Sequence, residues 1–397
     1  MYSEREFTLP EAKGRIENWL TSKGINFNLK TFSSKDSQFQ IVRSFLTLNG
    51  QSLQVGNGKG IGKEPVVGAI FESVEHLVYF SQKHAKRVAN IKEVLSQGSV
   101  FKQNVPMQFI TNTDTKVNVD SFKSMDNDKR VYFPSFLSDT TYTDTEIALK
   151  YPDLLQYSSN NGYAIGATKT EATLHALNEL IERDSVSRVL IKYGLGQHDS
   201  SVFATRLPIR ILTGKLRQLA NSIEETLDGK LTIVRIQNSL KIPCFLCVIE
   251  NASHYSYPLY GSGASPSSHY ALERALTETL QLGLLFDQED KLLHHRLKVL
   301  WKKVPIVDNL LKFKFLEELI PDNNTAQPTG DIDLQTRTSP KLLVQDIVKC
   351  LENNGIEVFN RSILEDNLIA VNQVLIPSFS TFNLILEGSI VLPFSAK

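Results

Sequence analysis

The chain has 397 residues, 41% hydrophobic and 22% charged, with 43 Lys+Arg balanced by 43 Asp+Glu and a formal net charge of zero. This is a globular profile with enough length for a sizeable core, and the balance gives no footprint for nucleic acid, an anionic membrane or an acidic tail. Three cysteines exclude a disulfide framework, no apolar run could span a bilayer, and the N-terminus carries Glu4, Arg5 and Glu6 in place of a signal-peptide core, so the expected location is the cytoplasm.

In chain order, the first predicted element is a short helix over 10–23, opened by Pro10 and closed by Gly24. Asn49-Gly50 between the runs 44–48 and 51–55 predicts a β-hairpin. Residues 56–62 hold four glycines and read as a loop that leads into a long helix, about 64–97. The mixed segment 98–160 is expected to carry short strands at 106–111 and 130–133, followed by a strongly periodic helix over about 169–193. Strands at 231–235 and 243–249 and helices over about 267–287 and 288–302 come next. A polar surface loop at 322–340, a helix at 340–353 and strands at 357–359 and 368–376 complete the order. No composition shift marks a boundary, so residues 1–43 read as a lead-in and 44–397 as one continuous α+β domain.

A degenerate pattern recurs near Gly58, Gly162 and Gly261: a glycine-rich stretch, then a helix that is apolar except for one polar stripe. In the middle helix Glu171, His175, Glu179 and Glu182 fall within an arc of about 80° at 100° per residue, with Ala172, Leu174, Ala176, Leu177, Leu180 and Ile181 on the other faces. The first helix places Glu72 and Glu75 at i and i+3, with Gly68 one turn earlier on the same face. The third carries Arg274, Glu278 and Gln281 at i, i+4 and i+7. Any one such stripe is equally a solvated face. Three in apolar helices predict convergence, and six carboxylates cannot all stay ionised in a poorly solvated site without counter-charge. Hard oxygen donors with few His or Cys favour Mg²⁺ bridging to nucleotide phosphates, with Arg183 and Arg274 facing phosphate oxygens.

These segments resemble the YcaO family. Gly58-Lys59-Gly60 before a helix with Glu72-x-x-Glu75 is similar to its first motif. Asn161-Gly162 through Glu171, then His175-Ala176-Leu177-x-Glu179-Leu180-Ile181-Glu182-Arg183-Asp184, is similar to the second, and Gly261-x-Gly263-Ala264 with Arg274, Glu278 and Gln281 to the third. Pro377 after 374–376 resembles the family's C-terminal strand ending, so the resemblance covers about residues 44–380. It implies a mixed α+β fold without a Walker P-loop, in which three carboxylate-bearing helices converge on ATP. By matching position, Glu72, Glu75, Glu179 and Glu182 would serve Mg²⁺ and phosphates. Glu171, His175 and Arg183 would line the nucleotide, Arg274 would contact it, and Glu278 and Gln281 would support it. Gly68 stands where the family usually has serine, and the end of the chain holds Pro393 alone where azoline formers often carry a proline-rich tail.

The resemblance also implies the chemistry. A Cys thiol or a Ser/Thr hydroxyl of a ribosomally made peptide adds to the preceding carbonyl, the oxyanion takes the γ-phosphoryl group, and loss of phosphate leaves an azoline. External sulfide in place of the side chain gives a thioamide. The leading expectation is ATP-dependent azoline formation; the alternatives are thioamide formation, an accessory role in ribosomal-protein methylthiolation, or a non-catalytic nucleotide-binding scaffold. Expected partners are the peptide substrate and, since no leader-peptide-binding domain is evident before residue 44, a separate protein that recognises the leader. A homodimer stays open; nucleic acid and membrane are not expected. Two other patterns carry no function here: Gly58 to Gly62-Lys63 lacks P-loop spacing and the following Ser/Thr, and Cys244-x-x-Cys247 puts its sulfurs on opposite faces of a strand, which reads as core packing.

Overall fold

The computed structural model describes residues 4–82, 87–142, 144–251, 254–323 and 339–393. The chain opens with α1 (Leu9–Ser22), β1 (Asn26–Ser33), β2 (Gln40–Leu48), β3 (Gln51–Gly60) and α2 (Glu64–Ser81). Next come β4 (Arg87–Asn90), β5 (Lys116–Ser124), β6 (Arg130–Pro134), β7 (Tyr163–Gly166) and α3 (Lys169–Val189). Then follow β8 (Val202–Leu207), α4 (Gly214–Leu227), β9 (Lys230–Asn238), β10 (Cys244–Glu250), β11 (Leu259–Ala264), α5 (Ser268–Leu285) and α6 (Gln288–Trp301). The last elements are α7 (Pro340–Asn353), β12 (Phe359–Glu365) and β13 (Ala370–Leu375), with shorter helical turns between the named elements. Helix starts follow local chemistry: Thr8, Thr168, Ser267 and Ser339 each accept a backbone N–H of the first turn of α1, α3, α5 and α7.

Three sheets result, with every strand pair antiparallel: β1-β2-β3, the four-stranded β11-β10-β9-β8, and a six-stranded sheet β4-β5-β12-β13-β7 with β6 beside β5. α3 packs against β7 and β13 of the six-stranded sheet and against β11 of the four-stranded one, so the second stripe lies where two sheets meet. α5 packs on β10 and β11, and α2 on β2 and β3. Cys244 and Cys247 are buried in different hydrophobic clusters on the two faces of β10, as their spacing predicts. Among the described residues no helix is long and apolar enough to cross a membrane.

The recurring glycine pattern has a physical cause. β3–α2, β7–α3 and β11–α5 are three strand–helix units, and in each the strand backbone touches the helix backbone. A Cβ built on Gly58 would lie 1.9 Å from the Pro65 carbonyl oxygen, and one on Gly56 2.1 Å from the Ser73 nitrogen. The same addition at Gly166, Gly261 and Gly263 meets helix backbone atoms of α3 or α5 at 2.5, 2.4 and 2.3 Å. Here glycine is chosen for the absent side chain.

Several expectations are corrected. Residues 56–60 are not loop but continue the hairpin strand, because close packing on α2 requires glycines within it. The first long helix stops at Ser81 and not near 97; residues 87–90 pair instead with β5, and a separate short helix, Ile91–Ser96, is capped by Asn90. The expected strand at 106–111 is a helical turn, Val105–Gln108, with Pro106 in its first turn. The strand expected at 357–359 begins at Phe359 and continues to Glu365, held by pairing with β13. Most of the expected loop 322–340 lies outside the described residues.

This packing makes a specific prediction. Gly58→Ala should cost about 2–3 kcal/mol or more through overpacking, read as a fall in the urea midpoint. Gly68→Ala should stay within about 1 kcal/mol on the stabilising side, because its Cβ would meet only the Gly58 Cα at 3.4 Å. Equal effects at the two positions would contradict the backbone-contact account.

Candidate active site

The three stripes open onto one cavity of about 760 Å³. Gly68, Glu72 and Glu75 of α2, Glu171, His175, Glu179, Glu182 and Arg183 of α3, and Arg274, Glu278 and Gln281 of α5 all line it. The sequence-predicted residues are therefore brought together without exception.

Their carboxylates lock the three units into a ring. Glu75 of the first unit accepts the backbone N–H of Ile165 in the second (2.7 Å). Glu182 of the second accepts the Ser262 hydroxyl of the third (2.7 Å). Glu278 of the third accepts Lys59 Nζ of the first (3.0 Å). Glu179 takes the Gly162 N–H at 3.3 Å, and Glu171 takes those of Ala167 at 3.2 Å and Glu6 at 2.6 Å. Arg183 Nη1 lies 3.7 Å from Glu182. These bonds fix the acids on rigid elements while their open side faces the cavity.

The cavity wall is strongly acidic. Glu64, Glu72, Glu75, Glu171, Glu179, Glu182, Glu273, Glu278 and Glu387 face four cationic side chains, Arg5, Lys59, Arg183 and Arg274. Burial pushes Glu179 up to about 7, with the neighbouring Glu182 adding to the shift and Arg183 opposing it. Burial raises Glu75 well above the ordinary range, reinforced by Glu179 and Glu72, and also raises Glu72 against the pull of His76 and Lys59. Glu278 differs: burial acts upward on it too, but Lys59, Arg183 and Arg274 outweigh that and hold its carboxyl below the usual value. Burial depresses His175 well below its ordinary value, and Arg274, Arg5 and Lys59 push the same way, so the ring is neutral.

A family model described as YcaO cyclodehydratase, ATP- and Mg²⁺-binding, matches residues 57–380. This chain belongs to the YcaO family. No curated protein matches it. Among solved structures it is similar to YcaO from Methanopyrus kandleri bound with AMPPCP and Mg²⁺, at 18% identity over 97% of this chain and 94% of that one, TM-score 0.67. A heterocyclase in complex with substrate and cofactor shares 18% identity over 95% of this chain, TM-score 0.66; this chain covers 53% of its length. The E. coli microcin synthetase McbBCD complex with pro-MccB17 bound shares 13% identity over 88% of each chain, TM-score 0.62. At these identities the neighbours establish the mixed α+β YcaO fold.

As a YcaO enzyme the chain takes ATP and Mg²⁺, and the residues present fit both. Buried Nε atoms of Arg183 and Arg274, both on the cavity wall, have no protein partner, which suits them to phosphate oxygens. The donor set is all carboxylate on the metal side. Among the described residues no three His, Cys, Asp or Glu side chains form a metal-gripping group by themselves. An all-carboxylate donor set suits Mg²⁺, which binds through carboxylates and completes its shell with phosphate and water.

Sequence reasoning missed part of the wall. Arg5, from the expected lead-in, lies with Nη1 3.7 Å from Glu171. Glu387, at the end of a 3₁₀ turn (Phe382–Glu387), and Tyr270 and Asn161 also line the cavity. Arg5 and Glu387 belong to no helical stripe, so periodicity gave no signal for them; Tyr270 stands one turn before Arg274 on the α5 stripe, and Asn161 within the second motif, so a signal for these two was present.

A stability test follows from Glu179. Its carboxyl keeps its proton in the fold to about pH 7, whereas the unfolded chain releases it near the ordinary carboxyl value of 4.5. Unfolding therefore releases a proton between these values, and the contribution is full below pH 4.5 and lost as pH rises through 7. Metal- and nucleotide-free protein should lose about 3 kcal/mol across this window from Glu179 alone. Glu179→Gln should flatten the profile in urea titrations from pH 5 to 8; an unchanged slope would contradict the assignment.

Proposed function

We propose that this YcaO enzyme uses Mg-ATP to activate a backbone amide of a ribosomally made peptide, with azoline-forming cyclodehydration of Cys, Ser or Thr as the outcome. The observation that carries the reading is that eleven residues chosen from three separate stretches line one cavity, carboxylates and two arginine side chains with an unpartnered Nε among them. The heterocyclase bound to substrate and cofactor, and the microcin synthetase complex bound to pro-MccB17, support a peptide substrate and a partner protein for leader recognition. Residues 44–397 are proposed to act as one catalytic domain.

In this reading Glu72 and Glu75 from α2 and Glu179 and Glu182 from α3 would hold Mg²⁺, which would supply positive charge against the phosphates and among the acids. Arg183 and Arg274 aim guanidinium N–H groups at phosphate oxygens. Glu171 and neutral His175 line the nucleotide, Glu278 holds Lys59 beside it, Gln281 supports that wall, and Gly68 brings the α2 backbone to the cavity without a side chain. The peptide's own thiol or hydroxyl adds to the carbonyl carbon, forming one C–S or C–O bond. The thiol or hydroxyl gives up its proton, the oxyanion so formed takes the γ-phosphoryl group, and the amide nitrogen then forms C=N and loses its proton as the bond from carbon to the phosphorylated oxygen breaks with phosphate as leaving group. The peptide loses one water in net terms, and ATP becomes ADP and phosphate. The protein's part is to orient the groups and supply fixed charge.

Peptide-dependent ATP turnover with a product lighter by one water is the expected result for the chain assayed with its leader-binding partner. Glu179→Gln and Arg183→Ala should each lower kcat by about 100-fold or more. A product that exchanges oxygen for sulfur would replace the azoline outcome with a thioamide. ATP hydrolysis that never responds to peptide would favour a scaffold.

A further inference from the structure

A second, smaller pocket adjoins the nucleotide cavity. It measures about 70 Å³ and lies between the end of β13, α3 and the β5–β6 pair. Phe122, Phe133, Leu137, Leu180, Ile376 and Phe379 give it an apolar lining. Asn161 and Arg183 stand on the walls of both spaces, so the two meet at the guanidinium assigned to the phosphates. Among the described residues Arg183 is the pocket's only charged wall member.

The wall is firmly held. Asn104 Nδ2 donates to the Pro377 carbonyl at 3.0 Å, Gln373 Nε2 to the Ser138 carbonyl at 2.9 Å, and the Ser380 N–H to Asp184 at 2.7 Å. β13 and the turn after it are thereby fixed to three other parts of the chain. Two wall side chains stay incomplete: Asn161 Nδ2 and Asn104 Oδ1 are buried and have no protein partner. Native folds leave few such atoms. One amide donor and one amide acceptor match the two polar groups of a peptide unit.

The chemistry of ring closure decides which part of a peptide can enter. The Cys, Ser or Thr side chain bonds the carbonyl carbon of the residue before it and is consumed in the ring. The side chain of that preceding residue stays free, on the Cα bonded to the reacting carbon. A carbonyl oxygen turned to the γ-phosphoryl group beside Arg183 brings this side chain next to the pocket.

We propose that the pocket receives the side chain of the residue immediately before the cyclised Cys, Ser or Thr, and limits it to small, uncharged types. The inference rests on the amide-activation reading and adds to it a rule of substrate choice. An apolar cavity of about 150 Å³ admits a benzene ring. This pocket is well under that size and takes Ala, Val or Thr but no aromatic ring. A charged side chain would lose its hydration against the apolar walls, and a cationic one would also meet Arg183.

The test is saturation-transfer NMR on the full chain loaded with Mg²⁺ and a non-hydrolysable ATP analogue. The probes are capped peptides, acetyl-Gly-Xaa-Cys-Gly-amide, at millimolar concentration with Ala, Val, Phe or Lys at Xaa. The Ala and Val peptides should bind about tenfold more tightly than the Phe and Lys peptides, or better. Leu180→Ala and Phe379→Leu each widen the pocket and should shrink the Phe penalty to about threefold or less while leaving the Lys penalty in place. Circular dichroism and Tm show which variants are folded, and either one suffices. Equal affinity for the Ala and Phe peptides overturns the proposal, as does a Phe penalty unchanged in a folded variant, or a failure of the Ala peptide to bind. A penalty equally large when Phe follows the Cys overturns the assignment to the preceding residue. ATP turnover that never responds to peptide overturns amide activation itself, and it is read separately from the binding series.

Discussion

Three carboxylate contacts arranged in a ring, one buried and two half-buried, hold this molecule's functional half together. Each passes from one strand–helix unit to the next: Glu75 to the Ile165 amide, Glu182 to the Ser262 hydroxyl, Glu278 to Lys59 and so back to the first unit. A buried carboxylate without partners is costly, and a single bond does not satisfy an ionised one. The units are therefore tied at the cavity by groups that still have acceptor capacity to offer. The glycines of β3, β7 and β11 make the ring possible, because only a strand without side chains lets each helix come close enough.

The arrangement is electrostatically incomplete without ligand. Burial raises the carboxyls of Glu72, Glu75 and Glu179, and neighbouring acids add to the shift, while the arginines keep buried Nε atoms unpaired. A divalent cation bound to a polyanion supplies both missing charges at once: positive beside the acids, negative beside the arginines. Affinity for the metal and affinity for the nucleotide are on this account one property, and the chemistry of amide activation uses the charge neutralisation that binding already provides.

Much of the site was legible in the sequence because it lies on long helices, where a period of 3.6 puts Glu171, His175, Glu179 and Glu182 on one face whatever the tertiary context. The strands were harder. Gly56, Gly58 and Gly60 read as a loop because glycine usually marks one, whereas here they pack a strand on a helix, a reason visible only once both are placed. The overrun of the first helix past Ser81 has a similar source: residues 87–90 take their conformation from pairing with β5, a partner some thirty positions away. Arg5 and Glu387 come from opposite ends of the chain and carry no periodic signal, so only the fold brings them to the cavity.

The central claim is that Mg²⁺ and nucleotide occupy the cavity between α2, α3 and α5. The most direct measurement is anomalous diffraction from crystals grown with Mn²⁺ in place of Mg²⁺ and a non-hydrolysable ATP analogue. The account predicts anomalous peaks between the Glu72/Glu75 and Glu179/Glu182 carboxylates, with phosphate density reaching Arg183 and Arg274. Peaks elsewhere, or analogue density outside this cavity, would contradict it.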